Sequence, residues 1–154
     1  MKARLDDHLD KAPAAIKAIM ALEAALRAST LEATLLELVK LRASQINGCA
    51  YCIHLHATSL RKSGESEMRL YLLDAWREAP HYTARERAAL GWTETLTRLS
   101  ETDVDEAEYE ILEAAFTPQE QVNLTLAIGA INLWNRLQVG FAVPPPFPEG
   151  GYDA

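Results

Sequence analysis

Cysteine, glycine and long apolar runs are all scarce in this sequence. No segment reaches the roughly 18 apolar residues that span a bilayer, so no membrane partner is expected. The opening residues, Met1-Lys2-Ala3-Arg4-Leu5-Asp6-Asp7, turn acidic before any apolar signal core develops, which points to the cytoplasm. Positive charge is short as well. Fifteen Lys and Arg against 22 Asp and Glu leave a formal net charge of −7. The basic residues stand singly among acids and form no patch, so nucleic acid is excluded as a partner. Glycine occurs seven times in 154 residues, mostly at breaks. No alternating apolar run bounded by turn signals suggests a strand.

Only two cysteines occur, and both lie in Cys49-Ala50-Tyr51-Cys52. A structural crosslink gains most by closing a long loop, and this pair closes almost none. In a reducing compartment such a pair is redox-active or metal-binding, and an inert buried pair is the plain alternative.

What is present reads as one all-α domain with a real core, at 49% hydrophobic and 24% charged residues. Apolar spacing predicts a first helix over 13–28, with Ile16, Ile19, Met20 and Leu26 inward. Ser29-Thr30-Leu31-Glu32 fits a capping box opening a second helix to about 46, with Leu31, Leu35, Leu38, Val39 and Ile46 buried. Asn47-Gly48 then breaks the chain. Further helices are predicted over 49–64 and over 65–78, the latter burying Met68, Tyr71, Leu72 and Trp76. Thr83-Ala84-Arg85-Glu86 caps a helix over 83–99, and a short acidic helix spans 104–115. Thr117-Pro118-Gln119-Glu120 starts the last, to about 140, carrying Val122, Leu126, Ile131, Trp134 and Leu137. The domain is expected over 1–143, with a Pro/Gly-rich tail over 144–154.

With Cys49 opening the third helix, Cys52 and His56 follow at i+3 and i+7, on one face. Free N–H groups and the helix dipole favour thiolate there, and thiolate is the nucleophile. A neighbouring imidazole can take the thiol proton. Glu37 stands among Leu35, Leu36, Leu38 and Val39, a poor place for an unpaired charge. Beside His56 it would fix one tautomer and raise the ring's basicity. The tight Asn47-Gly48 turn would bring it back alongside the third helix. Other readings stay open from the residues alone. Cys49, Cys52, His56 and His54 could supply zinc ligands from one segment. His56 could be a satisfied core histidine, and Glu37 a surface residue paired with Lys40. His54 points off the shared face, Tyr51 covers the site or only packs, and Trp76, Trp92 and Trp134 read as core.

The segment Glu37-Leu-Val-Lys-Leu-Arg-Ala-Ser-Gln-Ile-Asn-Gly-Cys49-Ala-Tyr-Cys52-Ile-His-Leu-His56 resembles the core of the carboxymuconolactone decarboxylase family, in its AhpD-like alkylhydroperoxidase branch. That branch has Glu, eleven residues, CxxC, three residues and His. Residues 70–77 and 131–136 resemble its later helices. The resemblance implies an all-α bundle of about six to seven helices that assembles into trimers or hexamers. It implies that Cys52 is the peroxidatic residue and Cys49 the resolving one, with His56 as proton relay and Glu37 orienting it. It further implies a hydroperoxide substrate and an external dithiol reductant, lipoyl- or thioredoxin-like, with no cofactor and no metal. One position departs: peroxidase members carry His directly before the second Cys, and this chain has Tyr51. Two other functions compete. One is acid–base lactone decarboxylation at His56 and Glu37, which needs no cysteine. The other is a non-catalytic oligomer that senses redox state through the disulfide.

Overall fold

A computed structural model describes residues 2–146. The tail expected over 144–154 therefore lies, from residue 147 onward, outside the described residues. Among the described residues every regular element is helical. A 3-10 turn (His8–Lys11) leads into α1 (Pro13–Arg27), α2 (Ala33–Ile46), α3 (Ala50–Lys62) and α4 (Glu67–Tyr71). A second 3-10 turn (Leu73–Ala75) precedes α5 (Ala84–Thr97), α6 (Glu106–Ala115) and α7 (Pro118–Gly140). None of these helices is long and apolar enough to cross a membrane.

The centre of the molecule is α2, against which α3, α5 and α7 all pack. Its residues from Leu38 to Ser44 are buried without interruption, Lys40 and Arg42 included. A helix buried on all sides must pair every charge it carries. Arg42 does so with Glu94 of α5, 2.8 Å from Nε to Oε1, and with Asp74. Glu94 also accepts from Trp76 Nε1 at 2.9 Å and pairs with Arg77, so one carboxylate ties together α2, α5 and the turn after α4. Burial pushes the Glu94 carboxyl up, but bonds from Arg77, Trp76 and Arg42 outweigh that and hold it below the ordinary carboxylate value.

Two of the three expected capping boxes form. Thr83 Oγ1 accepts from the Glu86 amide at 3.2 Å and the Glu86 carboxylate accepts from the Thr83 amide at 2.7 Å. Thr117 and Glu120 repeat the arrangement at α7. The box expected at Ser29 is absent. Ser29 Oγ donates instead to the Leu26 carbonyl at 2.7 Å, closing α1, and Glu32 turns outward to Arg85 at 2.9 Å.

The helix expected over 65–78 is a correction. It ends at Tyr71, and Met68 and Tyr71 are exposed. The buried positions that follow, Leu73, Trp76, Ala79 and Tyr82, recur every third residue. That period suits turns and 3-10 winding rather than an α-helix. Carbonyls left free by the broken ladder are taken by Arg87, which donates to Trp76, Arg77 and Ala79. Met20, Val122 and Leu126, expected inward, are exposed as well.

Candidate active site

Gly48 carries φ +63, the left-handed region, and it ends α2 so that α3 can fold back on it. The reversal places Cys49 at the N-cap of α3, where its Sγ accepts from the Cys52 amide at 3.3 Å. Cys49 and Cys52 are joined as a disulfide, with Cα atoms 5.4 Å apart. Both are buried, against Ala43 of α2 and Ile131 of α7, with Tyr51 and Trp134 packed beside them. A polar network pins the turn. Asn47 Nδ2 donates to Asn132 Oδ1 at 3.0 Å and Asn135 Oδ1 at 2.8 Å, and Asn135 Nδ2 donates to Ser44 Oγ at 3.0 Å.

His56 stands one turn beyond Cys52 on α3, and its Nδ1 lies 3.0 Å from Glu37 Oε2 of α2. A proton on Nδ1, donated to Glu37, makes Nε2 the free acceptor of the neutral ring. Burial pushes the Glu37 carboxyl up. The hydrogen bond and charge of His56, the charge of Lys40 and a bond from Ser59 outweigh it, so Glu37 sits below its ordinary value of 4.5. Cys52, His56 and Glu37 all line one open cavity of about 410 Å³. Cys49 does not border it. Apolar walls come from Leu9, Met20, Leu55, Ile131 and Trp134. The size is that of a small-molecule site.

The four residues singled out in the sequence thus come together. Lys40 does not pair with Glu37 but with Glu23 of α1, Nζ to Oε2 at 2.5 Å, in a nearly buried ion pair. His54 is half-buried and does not border the cavity. Tyr51 and Trp134 do, so Trp134 is a wall of the site rather than core alone.

The carboxymuconolactone decarboxylase family model matches residues 13–95, more than half of the chain. A Bacillus subtilis protein, the uncharacterized YdfG, is 38% identical over 132 residues, 86% of this chain and 90% of its own length.

The chain belongs to the carboxymuconolactone decarboxylase family.

Within that family it falls in the AhpD-like branch. An Agrobacterium tumefaciens protein of unknown function, assigned provisionally to AhpD-type antioxidant defence, shares its fold. The TM-score is 0.90 with 45% identity, over 96% of this chain and all of the other. A Silicibacter protein described as peroxidase-related superposes with TM-score 0.76 at 27% identity, over 85% of this chain and 70% of the other. The debrominase Bmp8 shares the fold alone, with TM-score 0.76 at 16% identity, over 90% of this chain and 74% of its own.

Lys40, Glu23, Ser59 and Gln138 also line the cavity; sequence reasoning passed over the last three and took Lys40 only as a surface partner for Glu37. A signal existed for the first two. Glu23 sits in Ala-Leu-Glu-Ala-Ala-Leu and Lys40 in Leu-Val-Lys-Leu, each a charge inside an apolar run, the same cue that drew attention to Glu37. Ser59 and Gln138 carry no such cue.

Proposed function

We propose that this family member is a thiol-dependent peroxidase of organic hydroperoxides, reset by an external dithiol of lipoyl or thioredoxin type. The carrying observation is that Cys52, and not Cys49, lines the cavity together with His56 and Glu37. A substrate entering there meets one sulfur and one proton relay.

The cycle starts from the disulfide. A dithiol reduces Cys49–Cys52 by exchange and leaves as its own disulfide. His56 Nε2 takes the Cys52 proton, and Glu37 stabilises the imidazolium through Nδ1. The Cys52 thiolate attacks the terminal peroxide oxygen. The O–O bond breaks, Cys52 becomes a sulfenic acid, and the alkoxide leaves as an alcohol after taking a proton from His56. The Cys49 sulfur attacks the Cys52 sulfur while the Cys49 thiol proton passes to the departing hydroxide, so the disulfide re-forms and water leaves. The sum is dithiol plus hydroperoxide giving disulfide, alcohol and water. Assembly into trimers or hexamers belongs to the same reading, and the exposed Val122, Leu126 and Leu133 of α7 supply apolar surface for it.

The test is turnover of cumene hydroperoxide with dihydrolipoamide. Cys52→Ser is expected to abolish turnover. Cys49→Ser is expected to stop after one event, with a Cys52 sulfenic acid that dimedone captures. His56→Asn is expected to lower the rate about a hundredfold to ten-thousandfold, the span of general acid–base catalysis. Full turnover by Cys52→Ser would sink the reading. Lactone decarboxylation that survives replacement of both cysteines by Ala would assign acid–base chemistry at His56 and Glu37 instead.

A further inference from the structure

One side of the cavity comes from outside the long helices. Leu9 sits in the 3-10 turn His8–Lys11, whereas every other lining residue is carried by α1, α2, α3 or α7. No residue of that turn is buried, and Leu9 itself is half-buried. Its neighbours Asp7, Asp10 and Lys11 are exposed, and Asp7 pairs with Lys11 at 2.5 Å. Leu9 is thus an apolar side chain that a polar segment lays against the cavity of Cys52. Among the charged groups lining that cavity, Glu23 pairs with Lys40, Glu37 pairs with His56, and Arg27 is exposed.

What holds the segment is the far end of α7. The last carbonyls of a helix have no partner within it. Ala142 leaves α7 at φ +52, a left-handed conformation that a side chain disfavours. Its amide and that of Val143 turn back onto the Val139 and Gln138 carbonyls at 3.1 and 2.9 Å. The next two carbonyls go to Arg4. Its guanidinium donates to Gly140 at 2.9 Å and its amide to Phe141 at 2.8 Å. A cation suits this end of a helix. His8 adds a ring contact with Phe141, centroids 5.2 Å apart. These contacts lie at the surface, and the turn buries nothing. A segment with so few buried contacts opens at far lower free energy than the fold as a whole. The clasp can therefore part while the helices stay packed.

We propose that Leu9 is a specificity-determining residue: the N-terminal segment, clasped to the end of α7 by Arg4, is a movable wall that limits the breadth of the molecules reaching Cys52. This rests on the peroxidase reading only in naming those molecules as hydroperoxides. Leu9 touches the body of the substrate and takes no part in the chemistry. With the clasp closed, narrow alkyl hydroperoxides are favoured over polycyclic ones. A broad molecule must wait for the open form, so the open fraction scales its rate.

Alkylation of the reduced full-length protein tests this without turnover. The probes are N-ethylmaleimide and N-(1-pyrenyl)maleimide, which share a reactive group and differ in breadth. The rate at Cys52 is read by fragment mass spectrometry, which separates it from Cys49. Leu9→Ala is expected to raise the pyrenyl rate about tenfold or more over wild type, the scale on which a few methylenes in a pocket discriminate. Arg4→Ala, which leaves the wall in place and loosens its clasp, is expected to raise the pyrenyl rate as well. Both variants are expected to keep the N-ethylmaleimide rate of the wild type. Unchanged pyrenyl rates in Leu9→Ala overturn the proposal, as does an Arg4→Ala protein that behaves as wild type. A rise with both maleimides alike also overturns it, because that reports general loosening rather than a wall. Amide exchange in α2 and α3 identifies any variant whose fold is disturbed, and the two variants stand in for each other. Absent peroxide turnover alongside intact selection by breadth would reject the peroxidase reading and leave this one standing.

Discussion

At the residue scale, Glu37 is the carboxylate that meets His56 in the cavity wall. Its carboxyl lies below the ordinary 4.5 because partners outweigh burial. A carboxyl with a depressed value in the folded state stabilises the fold above its unfolded value, and that stability is lost as pH falls through the folded value. Wild type should therefore melt higher than Glu37→Gln at pH 7, with the gap closing as pH drops below 4.5. A gap independent of pH would show that the carboxylate's charge is not what matters. Cys49, Cys52 and His56 were legible as neighbours because their spacing puts them on one helix face, and Glu37 became so through the family pattern it completes. Gln138 was not. A glutamine is common on any helix, and only its burial without a partner marks it, which is a fact about space rather than order along the chain.

At the scale of elements, the α2–α3 reversal sets the site. Gly48 holds φ +63, and nothing lies within 4 Å of where a Cβ would be. Gly48→Ala should thus cost conformational energy alone, about 1–2 kcal/mol, read as a lower melting temperature with an unchanged spectrum. Five long helices, α1, α2, α3, α5 and α7, were readable to within a few residues, since apolar period, capping residues and breakers agreed. The stretch after Gly64 was not. Its buried residues recur in threes, and its carbonyls depend on Arg87, which arrives from α5. A window along the sequence cannot include a partner that distant in role. The Ser29 box failed for a similar reason, because Glu32 is drawn off by Arg85.

At the scale of the whole molecule, the disulfide closes a loop of one helical turn. The stability it adds should fall below the roughly 3 kcal/mol of a 15-residue loop. Thermal melts with and without dithiol should therefore differ by less than that amount, and a larger difference would mean that oxidation reshapes the fold. The all-helical architecture followed from what the chain lacks, strand patterning above all. The meeting of α1, α3 and α7 around one cavity did not, because it depends on three long-range packings that leave no mark on local periodicity.

The 5.4 Å between the Cα atoms of Cys49 and Cys52 is the spacing that a helical turn already imposes on such neighbours. On the proposed cycle, two electrons would then be stored or released with the scaffold standing still. A docking reductant would meet the same outer contour whether the centre is charged or spent. It cannot sort one state from the other by shape, so the sorting must wait until a sulfur reaches Cys52 inside the cavity. Futile encounters with the reduced form would be as frequent as useful ones, and the reductant's throughput would depend on how fast it leaves.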